Sequence, residues 1–194
     1  METPSPVDFG GEEISVCFLV LQVIIWPGRR RCAILVKGRE LMGLPVINLA
    51  GEELGRVQDL AWEEGNLYLR GILISPVGLF TGPRFLELTE IQTCGPDALT
   101  INKNQALSNG LPEGSLRWAD FRGKRVLDTT GKELGILEDV EIEWPSGRVV
   151  KLEVSKGLVE DLLNGRQLVD IEGNSVTWGP DVVLINVREK IKPG

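Results

Sequence analysis

The sequence predicts an all-β protein made of two small barrels or sandwiches in tandem. Three observations carry that prediction. GEELG at 51–55 returns as GKELG at 131–135, so the chain says nearly the same thing twice. Each copy breaks into short β-branched runs separated by glycine- and proline-containing turns. A length of 194 residues suits one large domain or two small ones, and 42% apolar with 25% charged residues is ordinary for a globular chain.

The duplication is ordered. At a fixed offset, Gly43, Val46, Gly51, Glu53, Leu54, Gly55 and Asp59 fall on Gly123, Val126, Gly131, Glu133, Leu134, Gly135 and Asp139. A second block, GPDALTI at 95–101, matches GPDVVLI at 179–185 with the offset enlarged by four residues. The extra residues lie between the blocks of the second copy. Units of about 65–70 residues exceed a solenoid period and make two small domains.

Within each copy, LPVINL and KRVLDT are the first strands, and RVQDLAW and LEDVEIEW the second. EEGN and PSG then turn the chain, with Gly65, Pro145 and Gly147 suited to hairpins. NLYLRGILIS and RVVKLEV follow as third strands, and Val149, Leu152 and Val154 alternate in part, as on a strand with one buried face. GPD makes another tight turn before ALTI and VVLI close each unit. Gly51 and Gly131 are expected at φ > 0 in the first hairpin, and Gly55 and Gly135 at a bulge or bend, with Leu54 and Leu134 pointing inward. A phosphate cradle would need a Lys-bearing helix after the glycines, and none follows. The copies diverge after the third strand, where KGLVEDLLNGR replaces PVGLFTGPR. LVEDLLNG reads as a short helix stopped by Gly165.

The combined pattern, GLPVINLAGEELGRVQD with GPDALTI and GKRVLDTTGKELGILED with GPDVVLI, resembles the PRC-barrel domain across nearly all of residues 38–187. The resemblance implies two tandem six-stranded β-barrels, with a short helix in the second, used as a protein-interaction module. The family includes the cytoplasmic domain of the photosynthetic reaction-centre H subunit and the C-terminal domain of the ribosome-maturation factor RimM. A membrane-linked subunit supporting electron transfer and a ribosome-maturation or RNA-metabolism factor are therefore the alternative roles. No catalytic residues belong to the family pattern, so catalytic, cofactor and metal residues are expected to be none.

The expected organisation is an N-terminal extension at 1–34 outside the fold, a first barrel at 35–102, a polar linker at 103–116 and a second barrel at 117–194. The linker assignment rests on NKNQALSNGLPEGSLR, rich in Asn, Gly and Ser. The extension carries ISVCFLVLQVIIW at 14–26, too short for a bilayer span of about 20 residues. Three readings of it stand open. It is an over-extended gene start, with Arg30-Arg31-Cys32 mimicking a ribosome-binding site and the chain beginning at Leu35; or a membrane-associated anchor with Arg29, Arg30 and Arg31 on the cytoplasmic side; or an extra strand on the first barrel. Membrane association is expected only through 14–26.

Chemistry is sparse. The chain has no histidine, which removes the commonest general base and metal ligand. A net charge of −7 argues against direct DNA binding. Cys17, Cys32 and Cys94 form no Cys-x-x-Cys pair and suit a reducing compartment, consistent with a cytoplasmic location or the cytoplasmic face of the membrane. Cys94 aligns with Trp178, a packed position. Asp59 and Asp139 repeat between copies as structural hydrogen-bonding residues. Glu138, Val140 and Ile142 alternate with Asp139, Glu141 and Glu143, a strand with one wet acidic face that offers a docking surface to an unidentified protein partner. Trp62 and Trp144 precede the second turn of each copy. Together with Asp59, Asp139, Glu141 and Glu143 they make up the candidate partner surface.

Overall fold

The computed structural model describes residues 23–24, 33–63, 68–76, 82–102, 107–171 and 175–186. Most of the N-terminal extension, including nearly all of the apolar run, lies outside the described residues. Ahead of the first repeat stand β1 (Val23–Ile24) and β2 (Ala33–Lys37), which runs directly into α1 (Gly38–Leu41). The first repeat supplies β3 (Pro45–Asn48), β4 (Glu53–Glu63), β5 (Leu69–Pro76), β6 (Arg84–Glu87), β7 (Ile91–Cys94) and β8 (Leu99–Ile101). Then come β9 (Leu107–Asn109) and β10 (Ser115–Arg117). The second repeat supplies β11 (Arg125–Asp128), β12 (Glu133–Trp144) and β13 (Arg148–Ser155), then α2 (Leu158–Asn164), β14 (Gln167–Asp170), β15 (Ser175–Trp178) and β16 (Val182–Asn186).

The repeats share one topology. The first pairs in the order β7-β8-β3-β4-β5-β6 and the second in the order β15-β16-β11-β12-β13-β14. Both are antiparallel except for one parallel pair, β3 with β8 and β11 with β16. Registers match: Val46 faces Gly55 and Leu99, as Val126 faces Gly135 and Val183. Leu60 faces Ile72 and Ile72 faces Leu86; Val140 faces Leu152 and Leu152 faces Val169. The offset therefore grows across the loop that carries α2, where the extra residues were expected. Among the described residues no pairing joins β6 to β7 or β14 to β15, so neither strand path closes by backbone hydrogen bonds.

Turn chemistry explains the repeated glycines. Asn48 Oδ1 accepts from Ala50 N and Glu52 N at 3.0 and 2.9 Å, and Gly51 N donates to Asn48 O at φ +83°. Asp128 Oδ1 does the same for Thr130 N and Lys132 N, with Gly131 at φ +86°. A β-branched or other L side chain is strained at that φ. Gly55 and Gly135 sit beside a bulge in which Leu54 or Leu134 is the extra residue. A Cβ on either glycine would fall on the carbonyl oxygen of Ser75 or Ser155 of the neighbouring strand. Leu54 and Leu134 pack against the core.

The lead-in strands are exchanged between the repeats. β2 precedes the first repeat yet pairs with β12 of the second: Leu35 faces Glu143, Val36 faces Ile142 and Lys37 faces Glu141. β10 precedes the second repeat yet pairs with β4 of the first: Ser115 faces Glu63, Leu116 faces Trp62 and Arg117 faces Ala61. These are corresponding positions in corresponding registers, so the exchange is reciprocal. β9 adds a further strand to β6. Residues read from the sequence as a linker at 103–116 thus include strand residues 107–109 and 115–116 of the first sheet. Residues 35–37, read as part of the first barrel, lie in the second sheet. Ala33 and Ile34 belong to β2 as well, with Ile34 opposite Trp144 and packed on the core. A polar composition concealed these strands because β10 needs only Leu116, packed on the core, to anchor it. One hydrophobic cluster runs through both repeats, from Leu41, Val46 and Ile72 to Leu152, Val183 and Ile185.

Candidate functional site

A second bulge in each long strand aims a carboxylate inward. Gln58 is the extra residue between Val57 and Asp59, and Glu138 between Leu137 and Asp139. The bulge breaks the alternation expected of EDVEIE, so Asp139 turns to the buried side while Glu138, Glu141 and Glu143 stay half-exposed. Asp59 is 2% exposed and Asp139 1%.

Each aspartate holds the lead-in segment of the opposite repeat. Asp59 Oδ1 accepts from Leu60 N at 2.9 Å and Ala119 N at 3.2 Å, and Oδ2 from Arg117 Nε at 2.9 Å. Asp139 Oδ1 accepts from Val140 N at 2.9 Å and Arg39 N at 3.1 Å, with Arg39 Nε 3.6 Å from Oδ2. Ala119 and Arg39 are corresponding positions. The sequence could show that the two aspartates repeat; only the topology brings each to the backbone it satisfies. Burial pushes the Asp139 carboxyl above the usual aspartate range, against the hydrogen bonds that favour its charge.

The second repeat adds charge where the first has hydrocarbon. Glu153 occupies the place of Leu73, opposite Asp139 on β13. It is buried and accepts from Arg39 Nη1 at 2.8 Å, Lys37 Nζ at 2.9 Å and Arg166 Nη1 at 2.9 Å. Burial alone would raise its pKa; the hydrogen bonds from Arg166, Lys37 and Arg39 outweigh it and bring Glu153 down to about 2. Lys37 and Arg39 come from the exchanged lead-in and Arg166 from the chain just after α2, so one carboxylate ties three segments together. The sequence signal was a glutamate at a leucine position of the repeat.

The remaining members of the sequence-predicted surface separate into core and paired charges. Trp62 and Trp144 are buried, so they are core residues and offer no anchor to a partner. Trp62 stacks edge-on with Trp118 at 6.1 Å between ring centres, inside the exchange. Glu141 pairs with Lys151 at 3.0 Å, and Glu143 with Arg148 at 3.2 Å while also accepting from Ser146 Oγ at 2.8 Å. With Asp59 and Asp139 buried as well, no open acidic face remains at these positions. Cys94 is half-buried, and burial, aided by the Glu40 carboxylate, pushes its thiol up to about 11, far from a reactive thiolate. Its counterpart Trp178 packs edge-on against Phe121 at 4.9 Å and lines a shallow cleft of about 470 Å³ with Leu116, Lys124 and Pro180.

The outward chemistry gathers at α2. Leu158, Val159, Leu162 and Leu163 are 84, 73, 85 and 77% exposed, and no residue of the helix is buried. The helix is held with its polar side down. Asp161 accepts from Ser155 Oγ at 2.6 Å and Lys156 N at 3.1 Å, and Gly165 N closes the helix onto Asp161 O at 2.9 Å. Arg166 fixes the exit through Glu153. The spacing of the four aliphatic residues puts them on one stripe, usually the core side of a helix. Here it is turned away from the barrel. Leu168 on β14 is 46% exposed as well. Sequence reading found the helix but gave it no role.

A sequence model of the PRC-barrel domain matches the chain twice, over residues 34–106 and 113–192. The chain belongs to the PRC-barrel family. The two matched segments carry the two repeats and together span most of the chain. No curated protein matches it. Among the described residues no helix is long and apolar enough to cross a membrane, and no three His, Cys, Asp or Glu side chains gather as a metal would require.

Proposed function

We propose that this tandem PRC-barrel protein is a non-enzymatic interaction module that works in the cytoplasm and binds protein through the outward face of α2. The observation that carries the reading is the stripe Leu158, Val159, Leu162 and Leu163, held clear of the barrel by hydrogen bonds on its polar side. Water-exposed aliphatic groups on that scale contribute nothing to folding and mark a binding surface. The buried carboxylates support the same reading, since Asp59, Asp139 and Glu153 are committed to backbone N–H groups and cations of the exchanged segments. The net charge of −7 disfavours nucleic acid as the partner.

Photo-crosslinking from position 159 in the full chain, in cells that express it, tests this. Discrete protein adducts, lost when Leu158 and Leu162 are changed to Ser, are expected. Adducts to lipid or nucleic acid alone, or none at all, would contradict the reading.

A further inference from the structure

We infer that the chain's own residues 190–192 run along the outer edge of β14 as an antiparallel strand, the second repeat's counterpart of β9. Among the described residues β14 pairs with β13 and with no strand on its other side. Its counterpart β6 carries β9 on that side, with Leu107 facing Leu86, Ser108 facing Phe85 and Asn109 facing Arg84. The segment that supplies β9 is itself duplicated. INKNQALSNG at 101–110 returns as INVREKIKPG at 185–194, which sets Ile191 in the place of Leu107 and Gly194 in that of Gly110. Residues 187–194 lie outside the described residues; the edge, and the strand that fills its counterpart, lie within them.

The register transferred from β9 meets three requirements. Val169 stands where Leu86 stands in the first repeat, so Ile191 falls opposite Val169. Leu86 and Val169 are buried core residues and Leu107 packs on that core, so the position takes an aliphatic side chain. Carried one residue back, the register sets Lys190 opposite Asp170, an opposite-charge pair across the strands. The third requirement concerns Pro193, which has no N–H to give to a ladder. Ile171 N donates to Val150 O at 3.1 Å, so by alternation Leu168 and Asp170 turn their backbone N–H and C=O to the outer edge of β14, and Val169 does not. Lys192, opposite Leu168, then makes the ladder bonds. Pro193, next along, turns its nitrogen away from β14, where a proline is tolerated. A slip of one residue would put Ile191 on the outer face and Pro193 in the ladder.

A strand so placed closes the β14 edge to partners that bind by strand addition. Protein binding by the second repeat then falls to side-chain surfaces such as α2, although the assignment of 190–192 does not depend on what α2 binds.

Amide hydrogen exchange and proton–proton contacts measured by NMR on the full chain, with Ile191→Asp and Lys192→Pro alongside, test the inference. In the wild type the Leu168 N–H should be protected, and the α-protons of Ile191 and Val169 should be in direct contact, as in a non-hydrogen-bonded antiparallel pair. Each variant should speed exchange at Leu168 on the order of tenfold or more, while the Val169 N–H, turned to β13, keeps its protection. Lys192→Pro removes only the N–H that Leu168 O would accept and leaves the core intact, so it decides the matter should Ile191→Asp unfold the repeat. A Leu168 N–H that exchanges like an exposed amide in the wild type, or protection there that Lys192→Pro leaves untouched, would overturn the inference. Ile191 in contact with a strand other than β14 would do the same.

Discussion

The residues that define this protein are the ones that appear twice, and their two kinds of work differ in cost. Gly131 has open space around it but a φ of +86°, so Gly131→Val strains the backbone alone, at about 1–2 kcal/mol. Gly135 has positive φ and also a neighbouring carbonyl where its Cβ would go, so Gly135→Ala should lower stability more than Gly131→Ala. Denaturant midpoints of the two alanine variants check the order. Asp59 and Asp139 do the other kind of work. Removing either carboxylate strands a buried backbone N–H in its own strand and a part-buried one in the opposite lead-in. Asp59→Ala and Asp139→Ala should each cost about 1–3 kcal/mol in urea unfolding. Faster amide exchange should reach Ala119 in the first variant and Arg39 in the second, although each lies in the other repeat. Glycine geometry was legible in the sequence because a turn is local. The aspartates were legible only as repeated positions, because each has its partner in the other repeat.

At the scale of elements, strands and turns could be read from β-branched runs and glycines, and the helix from LVEDLLNG. β9 and β10 could not, since three-residue strands in a polar stretch carry no periodicity and form only because β6 and β4 offer them edges. Nor could the orientation of α2, which depends on Ser155, Lys156 and Glu153 holding Asp161 and Arg166 down. The tie of β2 to β13 has a pH signature. Glu153 titrates near 2 in the folded protein against 4.5 ordinarily, so the unfolded chain takes up its proton first. The stabilisation from Glu153 is fully present above about 4.5 and is lost as the pH falls towards 2. Asp139, with its carboxyl raised, works in the opposite sense, binding a proton in the folded state before the unfolded one. Thermal midpoints from pH 5 to pH 2 should therefore fall, and Glu153→Gln should flatten the fall while lowering the midpoint at pH 6. An unchanged slope in that variant would place the acid sensitivity elsewhere.

For the whole molecule, the exchange makes two barrels into one body. β2 carries the first repeat's lead-in onto β12, β10 carries the second's onto β4, and the core runs unbroken between them. The turn at Gly147 adds to this. Its carbonyl accepts from Leu69 N at 2.7 Å, and a Cβ there would press on Leu88 and Leu69 of the first repeat. Gly147→Ala should thus loosen the two repeats together. Tandem domains linked by a free segment unfold in separate steps, whereas interlocked ones unfold as one. Differential scanning calorimetry of the full chain and of Leu152→Ala, a core variant confined to the second repeat, tests this most directly. A reciprocal exchange predicts a single transition in both, with the whole transition moved down in the variant. Two resolved transitions in the wild type, of which Leu152→Ala shifts only one, would contradict it.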